Sequence, residues 1–162
     1  MTWFKREKKT IEVGGARMVM PEGLWQKCAH CKEPVWKKEI EANFQVCPKC
    51  NYHYKIGAVD RLNLLFDCSW KEMDASMFST DPLNFTAAKP YKETLDGLSK
   101  KPGPLDAVVT GSGRIGPHNV VAAAMEYGFI GGSMGSVVGE KIMRAIENAI
   151  QTRSAVVIAS CS

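Results

Sequence analysis

From Val138 onward the apolar positions recur as Val138, Ile142, Ala145, Ile146, Ala149 and Ile150, while Glu140, Lys141, Arg144, Glu147, Asn148 and Gln151 fall between them. That spacing predicts an amphipathic helix with one buried and one wet face. A shorter run with the same period, Val59, Leu62, Leu65 and Phe66, predicts a helix over 58–66. Residues 91–101 place Leu95 and Leu98 inward and end on Lys100 and Lys101, cations that suit a helix C-terminus. Pro102-Gly103-Pro104 stops that helix. Between the helices the pattern changes to β. Residues 106–115 and 119–130, with Val108, Val109, Val120 and Val121, read as two strands joined at Gly116-Pro117-His118, a hairpin. Residues 155–159 form a short apolar run of the kind found in a buried parallel strand. Residues 67–90, rich in Ser, Thr, Asp and Pro, read as an irregular connection with a short strand near 71–73.

Upstream of these elements, cysteine spacing outweighs periodicity. Cys28-Ala29-His30-Cys31 is answered by Cys47-Pro48-Lys49-Cys50. Two such pairs at this separation read as a zinc site, because structural zinc takes four thiolates tetrahedrally. The predicted unit is a zinc ribbon in which Cys28, Cys31, Cys47 and Cys50 hold one ion. Val35, Trp36, Ile40, Phe44 and Val46 are expected to supply a strand out and a strand back between the knuckles, and residues 52–54 the ribbon's last strand. His30 and His53 are read as non-ligands. Cys68 and Cys161 have no nearby partner and are read as small apolar residues. Two disulfides are the alternative for the four cysteines. The sequence shows no leader-like opening, and thiols free for metal point to a reducing cytoplasm.

The chain has 162 residues, 45% of them hydrophobic, as in a soluble globular protein of one domain or one plus a small module. No apolar run approaches the ~20 residues that span a bilayer, so no membrane role is expected. Charge is uneven. Residues 1–61 carry twelve Lys and Arg against seven Asp and Glu, and residues 62–162 carry nine against ten. Residues 1–22, with Lys5, Arg6, Lys8 and Lys9, read as a basic arm with Trp3 and Phe4 as docking points. A basic N-terminal third has two readings: a nucleic-acid contact through the ribbon, or lysines that offset the net −2 of a four-thiolate zinc site.

Two glycine patterns remain. Gly111-Ser112-Gly113-Arg114-Ile115-Gly116 fits G-x-G-x-x-G, but a dinucleotide site needs a helix directly after it, and Pro117 and a β run follow instead. Gly131, Gly132, Ser133, Met134 and Gly135 link a strand to the long amphipathic helix. Backbone N–H groups and the positive helix end suit an anion or a developing oxyanion there. Alternatively, the glycines only let strand and helix pack closely. The loop is no Walker motif.

The sequence from Gly131 to Lys141, Gly-Gly-Ser-Met-Gly-Ser-Val-Val-Gly-Glu-Lys, resembles the family of bacterial acetyl-CoA carboxylase carboxyltransferase β subunits. The likeness extends to Pro21-Glu22-Gly23-Leu24-Trp25, the ribbon cysteines with Val46, Pro48 and Lys49, Arg61-Leu62, Tyr91-Lys92, Asp106-Ala107-Val108-Val109 and Val121-Ala122-Ala123-Ala124. The resemblance implies an α/β body of crotonase-like β-β-α turns over residues 57–162, after a four-cysteine zinc ribbon over 23–56. It implies transfer of a carboxyl group from carboxybiotin to acetyl-CoA, giving malonyl-CoA for fatty acid synthesis. The implied partners are a carboxyltransferase α subunit in an α2β2 heterotetramer, the biotin carboxyl carrier protein and biotin carboxylase, with biotin supplied in trans. It places acyl-CoA on Gly131, Gly132, Ser133, Met134 and Gly135, and no residue is read as a proton-transfer catalyst. The family's Gly-Gly-Ala-Arg-Met segment is expected after the strand at 155–162 and does not occur there. The same letters at Gly14 to Met18 lack the flanking strand and helix. The sequence thus reads as an N-terminal portion with an incomplete body, expected to be inactive alone. Two alternatives are a zinc-ribbon nucleic-acid-binding protein and a carboxyltransferase for another acyl-CoA.

Overall fold

A computed structural model describes residues 23–161. The basic arm expected over 1–22, and Gly14 to Met18 within it, lie outside the described residues. The chain divides into two compact units, Met1–Tyr52 and His53–Ser162.

In the first unit, β1 (Trp25–Lys27) pairs antiparallel with β2 (Pro34–Trp36), Gln26 opposite Val35. The segment then turns into a short helix, α1 (Lys37–Ala42). The expected second strand between the knuckles is therefore absent, and the partner of β2 comes from before the first knuckle. Lys37-Lys38-Glu39-Ile40-Glu41-Ala42 explains the difference. Straight-chain residues and alanine favour helix, and Ile40 is the one residue of α1 that needs burial. Phe44 is exposed in a left-handed turn, at φ 53°. Residues 52–54 form no strand of their own.

The second unit is a four-stranded sheet with helices on both faces. In chain order it contains α2 (Ala58–Leu65), β3 (Lys71–Met73), α3 (Tyr91–Ser99), β4 (Val108–Ile115), β5 (His118–Met125), α4 (Ser136–Thr152) and β6 (Ala155–Ala159). The sheet order is β3-β4-β5-β6. The first three strands run antiparallel, and β6 joins β5 in parallel after the α4 crossover. The β4–β5 turn is two residues long, Ile115 pairing with His118, and Gly116 takes a φ of 57°. β5 stops at Met125, short of the Ile130 expected from its apolar run.

Alternation along β5 explains why it is apolar throughout. Val120, Ala122 and Ala124 face α2, packing with Ala58, Leu62 and Phe66. Ala123 and Met125 face the other way, toward Val138 of α4 and Leu95 and Leu98 of α3. Val121 meets Ala145 and Ala149. A strand covered on both sides cannot show the half-polar alternation. The strand glycines serve this packing. A Cβ on Gly111 would stand 2.5 Å from the Trp70 ring, and one on Gly113 would stand 2.6 Å from the Phe66 ring. That apparent dinucleotide motif is therefore a bed for two stacked aromatics.

Three expectations about faces need correction. The buried stripe of α2 is Ala58 and Leu62, continued by Phe66, whereas Val59 is exposed. Along α4, Ile146 is exposed, as is Ile150 at 71%, and Lys141, expected on the wet face, is 2% exposed. The stripe on α4 is thus rotated toward Val138, Lys141, Ala145 and Ala149. Strand β6 is parallel as expected but not buried, because it is the sheet edge, and Val156, Val157 and Ile158 stay open.

Candidate functional site

The two cysteine pairs sit on turns of the same construction. The Cys28 N–H donates to the Glu33 carbonyl and the Lys32 N–H to the Cys28 carbonyl; likewise, the Cys47 N–H donates to the Tyr52 carbonyl and the Asn51 N–H to the Cys47 carbonyl. The fifth residue of each turn is left-handed, Lys32 at φ 63° and Asn51 at φ 57°. Each turn aims two sulfurs at one point. The four Sγ atoms all lie within 4.8 Å of one another. Cys28 and Cys50 are 3.8 Å apart, and Cys31 and Cys47 are 4.0 Å apart. A tetrahedral site with Zn–S near 2.3 Å needs sulfurs about 3.8 Å apart, so the donor set fits zinc in chemistry and spacing. Without a cation, burial first and the neighbouring thiols second push the Cys50 thiol up to about 12, against a lowering hydrogen bond from the Tyr52 backbone. Thiols must lose their protons to ligate a metal, so acid releases the ion. Lys49 pairs with Glu33 at 3.7 Å beside the site.

His30 stacks on Tyr52 with ring centroids 5.9 Å apart and is not among the clustered donors. His53 is exposed. Cys161 is half-buried and donates to the Met125 carbonyl, while Cys68 is exposed rather than packed.

The glycine loop lies between β5 and α4. Residues Ile130–Gly132 form one 3-10 turn closed by the Gly132 N–H on the Phe129 carbonyl at 2.9 Å. Gly131 and Gly132 are left-handed, at φ 66° and 76°. Gly132 is buried, whereas Gly131, Ser133, Met134 and Gly135 are exposed. Gly135 caps α4 without a side-chain hydrogen bond. The Gly139 N–H is the first to reach back along the helix, to the Gly135 carbonyl at 3.2 Å. The N–H groups of Ser136, Val137 and Val138 precede it and have no intrahelical acceptor. A Cβ on Gly131 or Gly135 would meet nothing within 4 Å, so close strand–helix packing does not explain these two glycines. Backbone conformation accounts for Gly131 and Gly132. Neither reason applies to Gly135, at φ −91° and ψ −173°.

Two buried charges are invisible to sequence periodicity. Asp106 is buried, and its carboxylate accepts from the Ser79 and Ala107 N–H groups, both at 2.8 Å. Burial pushes the Lys141 ammonium down, opposed by the charges of Asp106, Glu72 and Asp74. The folded chain therefore binds fewer protons than the unfolded one between the lowered value and the ordinary ~10.4, and stability rises as pH rises through that window. A Lys141→Met variant is expected to lose this alkaline rise in melting temperature. Near neutral pH the variant escapes the desolvation cost of the ammonium but leaves the buried Asp106 carboxylate without that cation, so the pH dependence rather than the neutral-pH stability is the readout. Melts across alkaline pH check this; a variant that keeps the rise would assign it to another group.

A Glu126 carboxylate accepts from the Ala58 and Gly128 N–H groups at 2.8 Å each, capping α2 from the end of β5.

With this geometry in view, the likenesses to known proteins fall on the same segments. Residues 25–50 match the acetyl-CoA carboxylase zinc finger domain, and residues 67–162 match the carboxyl transferase domain. The first segment contains the four clustered thiols, and the second contains the hairpin, the glycine loop, the crossover helix and the parallel strand. The whole chain is 46% identical to the acetyl-coenzyme A carboxylase carboxyl transferase subunit beta of Citrifermentans bemidjiense and 44% identical to that of Pelobacter propionicus. It spans 58% of the length of each of these curated relatives. Among solved structures, transcarboxylase 12S with methylmalonyl-coenzyme A and methylmalonic acid bound superposes with a TM-score of 0.50 at 30% identity, over 64% of this chain and 18% of that one. The chain belongs to the carboxyl transferase domain family and carries an acetyl-CoA carboxylase-type zinc finger at residues 25–50.

Proposed function

We propose that this chain serves as the acyl-CoA-binding part of an acetyl-CoA carboxylase carboxyltransferase, with residues 23–56 as its ribbon and 57–162 as its body. Cys28, Cys31, Cys47 and Cys50 hold one structural zinc. Carboxybiotin, delivered on the biotin carboxyl carrier protein after loading by biotin carboxylase, supplies the activated carboxyl group. The partner is a carboxyltransferase α subunit in an α2β2 assembly, and the setting is the cytoplasm. Among the described residues no helix is long and apolar enough to cross a membrane.

The observation that carries the reading is Gly135, exposed and open where no packing or backbone demand calls for glycine. The residues Gly131, Gly132, Ser133, Met134 and Gly135 present the thioester carbonyl to the first-turn amides of α4. Those donors and the helix dipole stabilise negative charge on that oxygen as the acetyl methyl loses its proton. A residue for that proton transfer is not assigned to this chain.

The runner-up substrate is another acyl-CoA, favoured by the methylmalonyl-coenzyme A bound in transcarboxylase 12S. Nucleic acid fits less well. Residues 23–52 carry five lysines against three glutamates, an excess that a zinc site with net −2 cancels.

Placing residues 1–162 in the matching 58% of a full-length relative, with an α subunit added, tests the reading. Carboxybiotin-dependent formation of malonyl-CoA is expected. A folded, zinc-loaded chimera that makes none contradicts it, and preference for propionyl-CoA selects the runner-up.

A further inference from the structure

The two cysteine turns match residue for residue, and the match extends to their side chains. Counting from Cys28 and from Cys47, the third residue is His30 in one turn and Lys49 in the other. The sixth is Glu33 in one and Tyr52 in the other, and in both turns its carbonyl accepts from the first cysteine's N–H. Each third residue meets the sixth residue of the opposite turn. His30 stacks on Tyr52 with ring planes 6° apart and centroids at 5.9 Å. The Lys49 ammonium pairs with the Glu33 carboxylate at 3.7 Å. Such reciprocal contacts are the mark of an approximate two-fold relation, and they tie one turn to the other beside the sulfurs.

The two ties differ in strength. Lys49 and Glu33 are exposed at 50% and 58% of their side chains, and water and salt leave such a pair little net effect. A stacked ring pair gains more than the area it buries and is indifferent to salt. Tyr52 is also anchored through its backbone, by its carbonyl on the Cys47 N–H and by a hydrogen bond to the Cys50 sulfur. Of the four sulfurs, Cys28 and Cys47 are buried, whereas Cys31 and Cys50 are partly open. A competing ligand therefore reaches the metal at Cys31 or Cys50. His30 precedes the first of these in the chain and Tyr52 closely follows the second. For either sulfur to swing off the metal its turn must shift against the other, and that shift breaks the stack.

Resting on the four-thiolate zinc site, we propose that His30 and Tyr52 form a clasp across the two turns that slows departure of the zinc. Both are positioning residues. The imidazole acts through its flat face on the Tyr52 ring, and the lifetime of the loaded site is set by that pair together with the sulfurs.

Transfer of zinc from the whole chain to an excess of a chelating dye, at fixed neutral pH, tests this once the zinc content of each variant is known. His30→Ala and Tyr52→Ala should each speed release by roughly three- to tenfold. The double variant should release no faster than the quicker single one, because both changes remove the same contact. His30→Phe keeps a ring to stack and should stay close to the parent. Glu33→Ala, which breaks the matching ion pair, should change the rate by less than about twofold. If Tyr52→Ala fails to load zinc, the comparison of His30→Ala with His30→Phe decides, since His30 is exposed. Unchanged release from His30→Ala, additive effects in the double variant, or His30→Phe as fast as His30→Ala would overturn the clasp and leave the zinc site standing. So would a larger effect from Glu33→Ala than from His30→Ala. A parent chain that holds no zinc would overturn both.

Discussion

Removing the metal with a chelator, or replacing Cys47 with serine, is expected to unfold the ribbon while β4, β5, α4 and β6 stay folded. The described part of the first unit, residues 23–52, has a small apolar core. Among its described residues the buried side chains are Val35, Ile40, Cys28 and Cys47, and two of these are sulfur donors. Burying an aliphatic side chain contributes ~1.5–3 kcal/mol, whereas ordering each backbone residue costs about 1–2 kcal/mol. Two aliphatics cannot offset that cost over residues 23–52. Structural zinc contributes roughly 10–16 kcal/mol in small peptides at neutral pH, which is enough to decide the balance. The second unit has its own two-faced core and divides from the first between Tyr52 and His53. Amide hydrogen exchange before and after chelation should show protection lost at Cys28, Lys32, Cys47 and Asn51 and kept along β4 and β5. One zinc per chain is the expected stoichiometry. A metal-free ribbon with unchanged protection would contradict the assignment.

The second large effect concerns two glycines three residues apart that ought to respond in opposite ways. Gly132 is buried in a left-handed conformation at φ 76°. A β-branched residue there costs roughly 1–3 kcal/mol whatever the loop binds, so Gly132→Val should lower the melting temperature. Any loss of affinity in that variant is then uninformative. Gly135 has an extended backbone, and a Cβ there meets nothing. Gly135→Val should therefore melt close to the parent while losing acetyl-CoA affinity by about tenfold or more, because its side chain occupies the approach to the α4 amides. Paired melts and titrations on the two variants separate a fold requirement from a ligand requirement.

Several elements could be read directly from the residues. Cysteine spacing announced the metal cluster because two thiols on one tight turn can share an ion. The β4–β5 hairpin, the strand at Lys71–Met73 and the parallel strand after α4 follow from local pattern and turn residues. What escaped depended on contacts far apart in sequence. Ile40 looks β-favouring, yet its lysine and glutamate neighbours make a helix. Lys141 reads as a wet-face residue until the acidic groups of β3 and of the chain before β4 are brought beneath it. The edge position of β6 leaves open a run whose composition suits an interior. Gly111 and Gly113 resemble a nucleotide motif because the rings of Trp70 and Phe66, which require their missing side chains, lie far earlier in the chain. The glycine loop was found by its place before a long amphipathic helix, but only the dihedral angles distinguish Gly131 and Gly132 from Gly135.

The claim that acyl-CoA is held by this loop is tested most directly by following backbone amides while acetyl-CoA is added to the zinc-loaded chain. Amide chemical shifts of Gly131, Gly132, Gly135, Ser136 and Val137 should move together and saturate, with those of the ribbon turns at Cys28 and Cys47 unmoved. Saturable binding that leaves the loop amides in place, or that moves the ribbon amides instead, would contradict the account.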